Sequence, residues 1–389
     1  MFDQEARLER LLARHDDVAM VEPLPGRPAL IRRDQILVAE RDASAAEDLV
    51  RRWHDSRHDE DGVTRLRLRA RSKVDVCELS TELAGAGRHR RLSVSPNHLV
   101  HGQPMWWSGP ADLPRPAGPV PAPRADGPRR DVTVAVLDTG LSPHPWYEDA
   151  AWYREQGDEA AEVLDADLDF ELDAQAGHGT FVAGVLLRHA PAAVLRARRV
   201  IGGDGVGDEA GVVGALTRLA AQGGADVVNL SIGCHTFDDR PTPVLARAVA
   251  ALGRGTVVVA CAGNTAGDRP FWPAALKPVI AVGALDALGE DRAWFSNYGW
   301  WVDACAPGVD IVSAFARFDG PRPRVRGIDP DRFDGFATWS GTSFAAPAVA
   351  GRIAGLAASE GLTAVEAADR ILDPADRPTL PDLGVIIRS

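Results

Sequence analysis

Lysine is nearly absent from this chain. Lys73 and Lys277 are the only two in 389 residues, and arginine carries almost all of the positive charge. Acids outnumber bases 55 to 43, a net of −12, so the clustered basic surface that neutralises nucleic-acid phosphates is missing. Cysteine is scarce as well. Cys77, Cys234, Cys261 and Cys305 show neither paired nor metal-type spacing and lie mostly in apolar, strand-like stretches, so buried free thiols are expected rather than disulfides. No apolar run approaches the roughly 20 residues of a membrane-spanning helix. The stretch Met1-Phe2-Asp3-Gln4-Glu5-Ala6-Arg7-Leu8-Glu9-Arg10 is charged throughout and lacks the apolar core of a secretory signal. A cytoplasmic location is therefore expected, with export by another route as the alternative. Hydrophobic residues make up 45% of the chain, enough for one large α/β core and a smaller domain.

Three stretches carry chemistry. Gly341-Thr342-Ser343-Phe344-Ala345-Ala346-Pro347-Ala348-Val349-Ala350-Gly351 presents one hydroxyl in a small-residue turn. It then runs on as an Ala-rich buried helix of about four turns, its Pro tolerated in the first turn, where the missing N–H is unpaired anyway. Ser343 thus falls at a helix N-terminus, where free N–H groups and the helix dipole favour developing negative charge. Val132-Thr133-Val134-Ala135-Val136-Leu137-Asp138-Thr139-Gly140 reads as a buried parallel strand that delivers Asp138 at its C-terminal edge. Gly177-His178-Gly179-Thr180-Phe181-Val182-Ala183-Gly184-Val185-Leu186 places a His between glycines at the start of a second small-residue helix. Taken singly, each has a plain reading: an N-cap, a helix cap, a surface turn. Together they supply nucleophile, base and orienting carboxylate in the chain order Asp, His, Ser.

These segments resemble the three catalytic blocks of the subtilisin-like serine peptidases, the subtilase family. Val257-Val258-Val259-Ala260-Cys261-Ala262-Gly263-Asn264 resembles the strand end that supplies the family's oxyanion-hole amide. Phe295-Ser296-Asn297-Tyr298-Gly299, followed by Asp303-Ala304-Cys305-Ala306-Pro307-Gly308, resembles the support segment before the Ser block. The resemblance covers roughly residues 130 to 360. It implies an α/β, subtilisin-like, doubly wound and mostly parallel sheet with helices on both faces. It implies Asp138, His178, Ser343 and Asn264 as catalytic residues. Ser231-Ile232-Gly233 is implied as the edge that pairs with substrate backbone, and Ala262 and Gly263 as part of an open, apolar-walled pocket. The substrate implied is a peptide or protein, with no nucleic-acid or membrane partner.

Residues 1–102 lie outside the match. Ala29-Leu30-Ile31 and Gln35 to Ala39 read as short strands, Ser44 to Trp53 as a capped amphipathic helix and Val63 to Arg69 as a half-buried strand. A second helix over Asp75 to Ala86 and a strand over Arg91 to Asn97 complete a split βαβ, ferredoxin-like α+β domain. It resembles the pro-domain that acts on many subtilases as intramolecular inhibitor or chaperone; an unrelated recruiting domain is the alternative. On the first reading, Ser95 through His101 would lie along the cleft like a substrate strand, with chain cleavage near it.

Residues 103–129 form a Pro-rich extended linker that also carries Trp106 and Trp107, and 130–389 the peptidase domain. Within it, Gly202 to Gly207 lacks the Lys-Ser/Thr of a phosphate loop. Trp146 to Ala176, rich in acids, shows no compact ligand pattern and is expected to be a solvated loop, although family members place calcium ligands in this region. The run Arg317 to Arg332 is expected as a charged loop before the nucleophile.

The expected chemistry is hydrolysis of a peptide bond through an acyl-enzyme, with no cofactor and no catalytic metal, a structural calcium ion being left open. Acyl transfer to an amine, as in a transpeptidase or macrocyclase, and a catalytically silent binding module on the same fold are the alternatives.

Overall fold

Alternating and continuous apolar runs, the two patterns that mark strands, fall in different parts of this chain. The computed structural model describes residues 12–86, 91–102, 113–125, 127–320 and 332–388. The chain divides into two units. One holds the described residues up to Val100 with Gly207–Gly224 and Cys234–Gly253. The other holds His101–Val206, Ala225–Gly233 and Arg254 onward.

In the first unit, β1 (Val18–Val21), β2 (Ala29–Ala39), β3 (His54–Glu60), β4 (Val63–Leu68), β5 (Val94–His101) and β9 (Val206–Asp208) form one sheet, in the order β3-β4-β2-β5-β9 with β1 on β2. The two short strands expected near residue 30 form one continuous β2, whose pairing with β5 shifts register between Ile31 and Ile36. β3, not anticipated, reads His-Asp-Ser-Arg-His-Asp-Glu. It lies at the sheet edge with nearly every side chain exposed, so it carries no apolar alternation to betray it. Helices Ala43–Val50 and Val76–Ala86 cover one face, burying Ile36, Val38 and Leu66 against Val50, Leu79 and Leu83. Helices Glu209–Ala221 and Pro243–Ala251 pack against β4 and β2 in the same unit.

The second unit is built on an eight-stranded sheet. Its members are β7 (Thr133–Asp138), β8 (Val194–Arg199), β10 (Val227–Leu230), β11 (Val257–Cys261), β12 (Val279–Leu285), β13 (Ala304–Pro307), β16 (Thr379–Leu380) and β17 (Gly384–Ile386), in the order β16-β17-β13-β12-β11-β10-β7-β8. All neighbours pair in parallel except β16 with β17. β10 and β11 are buried along their whole length, as strands covered on both faces must be. Helix Thr342–Glu360 packs on β10 to β13 and against helix His178–His189. Gly351 and Gly355 permit that approach, since added Cβ atoms would lie 2.7 Å from the Leu186 carbonyl oxygen and 2.3 Å from that of His189. Helix Ala364–Ile371 is capped by Thr363 in a full capping box with Glu366.

A second sheet pairs β14 (Ile311–Asp319) with β15 (Arg332–Trp339) and β15 with β6 (Arg115–Pro116). The segment read as a charged loop before the nucleophile is therefore partly this hairpin, anchored by buried Phe315, Phe333 and Trp339. Arg322, Arg324, Arg326, Asp329 and Asp331 lie outside the described residues, as do Trp106 and Trp107. Part of the Pro-rich stretch is an edge strand, one of the places in a sheet where Pro is accommodated. All four cysteines are buried thiols outside any disulfide. Among the described residues no helix is long and apolar enough to cross a membrane.

Candidate active site

β7 ends at Asp138, buried at the C-terminal edge of the parallel sheet. Its Oδ1 accepts the Thr139 N–H at 2.8 Å and the His178 Nδ1–H at 2.6 Å. The glycines around His178 have separate reasons. Gly177 precedes the helix at φ +84°, a conformation costly for any other residue, and a Cβ there would lie 2.3 Å from the Phe315 ring. Gly179 sits against the Gly140 carbonyl oxygen, 2.2 Å from where its Cβ would be. His178 is fully buried, its ring packed against Trp339 and Phe344 at centroid distances of 5.3 Å and 5.4 Å. Its Nε2 has no hydrogen-bond partner among the described residues.

Ser343 is the second residue of the helix Thr342–Glu360. Its Oγ lies 3.1 Å from the Gly102 carbonyl oxygen and 3.2 Å from that of Ser231, two acceptors that share its single proton. The Pro expected in the first turn is Pro347, and it lies inside the helix. Its missing N–H would have paired with the carbonyl of Ser343, four residues earlier. The Ser231 hydroxyl fills that vacancy, donating to the Ser343 carbonyl oxygen at 2.7 Å while accepting from Asn229 Nδ2 at 3.0 Å.

Asn264 is buried, and its Oδ1 accepts from the Thr342 N–H at 2.8 Å and the Thr342 hydroxyl at 2.9 Å. That fixes the amide with Nδ2 as its donor end. The Thr342 Oγ1 in turn accepts the Gly263 N–H at 3.0 Å, and Gly263 adopts φ +94°. Asn297 braces this loop: Nδ2 donates to the Ala262 carbonyl at 2.8 Å, and Oδ1 accepts from the N–H groups of Thr265 and Gly267 at 2.9 and 3.2 Å. The segment after β10 meets a strand residue directly. His101 and Gly233 exchange both N–H to carbonyl bonds at 3.0 Å in an antiparallel bridge, and the buried His101 ring packs tilted against Phe271. Gly102 follows in a close-packed spot: a Cβ there would lie 3.3 Å from His178 Cε1, a few tenths of an ångström tighter than usual, and 3.4 Å from Ile201 Cδ1.

The model of the Subtilase family matches residues 129–383. The chain belongs to the subtilase family. It is 38% identical over 256 residues to the thermophilic serine proteinase of Bacillus sp. (strain AK1), an alignment covering 63% of this chain and 56% of that protein. Thermitase of Thermoactinomyces vulgaris is 33% identical over 260 residues, 63% of this chain and 81% of its own length. The crystal structure of a cold adapted subtilisin-like serine proteinase superposes with a TM-score of 0.51 at 26% identity, covering 66% of this chain and 88% of that one. The fold is thus the α/β subtilisin-like fold expected from the sequence.

In this subtilase Asp138 and His178 are hydrogen-bonded partners, and the loop of Ala262, Gly263 and Asn264 is tied to Thr342, next to Ser343. Ile232 is buried between Ser231 and Gly233. Cys261, beside Thr342 and Ser343, has its thiol pushed up to about 12 by burial and is a neutral packing group. Asp165, Asp167 and Asp169 bring one oxygen each within 4.8 Å of one another, but the Asp165 carboxylate already accepts the N–H groups of Asp169 and Phe170. Two residues escaped the sequence reading. In the sequence Thr342 is only one residue of the Ser block, although in the fold it joins Asn264 to the helix that carries Ser343. Glu162 stands in the sequence among acids expected to be solvated, and nothing in its spacing sets it apart from its neighbours.

Proposed function

We propose that this chain is a serine endopeptidase, hydrolysing peptide bonds through an acyl-enzyme formed on Ser343. His178 takes the Ser343 proton and returns it to the leaving amine. Asp138 holds the imidazole by its Nδ1–H and stabilises the imidazolium. Asn264 Nδ2 and the Ser343 N–H meet the oxygen of the tetrahedral intermediate, at a helix N-terminus that favours negative charge. Nδ1 being committed to Asp138, Nε2 is the nitrogen left to receive the proton.

One observation carries the reading: a piece of main chain pairs with the proposed substrate edge and runs up to Ser343, as a bound peptide strand would. His101 pairs as an added strand with Gly233, and the Gly102 carbonyl oxygen is 3.1 Å from Ser343 Oγ. This supports Ser231, Ile232 and Gly233 as the substrate-binding edge. It also supports a further role for the N-terminal region as intramolecular inhibitor, released by a cut at or just after Gly102. An enzyme held in this way suits maturation of a specific precursor better than bulk digestion; rapid casein digestion by the freshly purified chain would contradict that role.

Labelling by a fluorophosphonate probe tests the peptidase reading. The processed wild-type protein should be labelled on Ser343 and Ser343→Ala should not, whereas an unlabelled wild type that has lost its N-terminal region would overturn it.

A further inference from the structure

We propose that Glu162 is a positioning residue of this site: its carboxylate clamps the loop that follows Asp138 to the N-terminus of the helix that begins with His178. The inference rests on the peptidase reading above.

Each carboxylate oxygen takes one relay and one direct bond. Oε1 accepts the Gly177 N–H at 2.8 Å and the Thr139 hydroxyl, and that hydroxyl itself accepts the Gly179 N–H at 2.8 Å. Oε2 accepts the Thr180 hydroxyl at 2.7 Å and the Ser142 hydroxyl at 2.9 Å, and the Thr180 hydroxyl accepts the Ser142 N–H at 2.8 Å. The proton directions are determined. Thr139 and Thr180 each receive a backbone N–H that can only donate, so each turns its own proton toward the carboxylate. Three donors of fixed direction, the Gly177 N–H and the hydroxyls of Thr139 and Thr180, thus reach both oxygens, an arrangement that favours the ionised acid.

The partners explain the role. Thr139 follows Asp138 in sequence, and Gly177, Gly179 and Thr180 bracket His178. The 2.6 Å bond between Asp138 and His178 therefore spans two segments that one carboxylate holds in register. Burial raises the Glu162 carboxyl above its ordinary value, while the hydroxyls of Thr139, Thr180 and Ser142 pull it back. The nearby negative charge of Asp138 raises it further, and the surrounding donors oppose both effects. A carboxylate at a helix N-terminus also meets the favourable end of the helix dipole.

The test compares wild type with Glu162→Gln, which keeps the volume but presents an NH₂ to donors that need an acceptor, and with Thr139→Val, which cuts one relay and leaves Glu162 in place. Fluorophosphonate labelling counts active sites, so turnover is read per labelled site. The expected result for Glu162→Gln is a kcat about 10–100-fold lower with KM nearly unchanged, and a smaller fall for Thr139→Val, since small misplacements of catalytic groups carry losses of this order. A folded Glu162→Gln protein with wild-type kcat per labelled site overturns the inference, as does a loss confined to the number of labelled sites. The His178 Nδ1–H proton resonance, followed in the Ser343→Ala background, gives a readout that needs no turnover. It should shift or broaden on Glu162→Gln, and an unchanged resonance counts against the clamp. A wild type that is neither labelled nor active would sink the peptidase reading alone, because the resonance still decides the role of Glu162.

Discussion

The hydroxyl of Ser231 donates to the carbonyl oxygen of Ser343 at 2.7 Å, in the place of the helical N–H that Pro347 does not have. The Ser343 carbonyl is thereby satisfied by the segment that also forms the edge opposite His101. Ser231→Ala removes this donor from a buried position, and leaving such an acceptor unpaired costs about 1–3 kcal/mol. Denaturant unfolding of Ser231→Ala in a Ser343→Ala background should show a loss of that size. An unchanged midpoint would mean that another group takes over the carbonyl.

Asn264 has two ends with two duties. Its Oδ1 anchors Thr342, and its Nδ2 is proposed to meet the oxyanion. In a subtilisin, removing one oxyanion-hole donor lowers turnover by about 10²–10³, and that relative sets the scale. Asn264→Ala should lose kcat on this order with a much smaller change in KM. Asn264→Asp keeps an acceptor for Thr342 while replacing the donor by an anion, so it should be no more active than the Ala variant. Substantial recovery by Asp would show that the Thr342 anchor, not the donor, is what matters.

His189 closes the helix that begins at the proposed base, and its acid–base behaviour touches stability rather than chemistry. Burial, then the charges of Arg352 and Arg188, hold its imidazole down to about 4 from an ordinary 6.5. As pH falls, the unfolded chain takes up this proton first. The stability it contributes is complete above pH 6.5 and is lost as pH falls toward 4, by no more than about 3 kcal/mol. Unfolding of Ser343→Ala measured from pH 7 to 4 should show this slope, and His189→Gln should flatten it. Equal slopes in the two proteins would remove His189 from the account.

The three proposed catalytic residues were legible because each is fixed by rules that act over a few residues. A buried β-branched strand ends at Asp138, and the glycines beside His178 answer a positive φ and a close backbone contact. Ser343 opens a helix of small residues that lies on the sheet. What stayed hidden depends on segments distant in the chain. Glu162 looks like any acid in an acidic stretch until Thr139, Ser142 and Thr180 fold around it. β3 has no apolar face to alternate, and the interior position of Pro347 is tolerable only because Ser231 arrives from another strand end.

The most direct test of the central claim is the intact mass of purified wild type beside Ser343→Ala, both incubated at neutral pH. The Gly102 carbonyl oxygen lies 3.1 Å from Ser343 Oγ, so the wild type alone should be cut at or within a few residues after Gly102. Cleavage of both proteins at that place, or a wild type that stays whole while a fluorophosphonate fails to label it, would contradict the account.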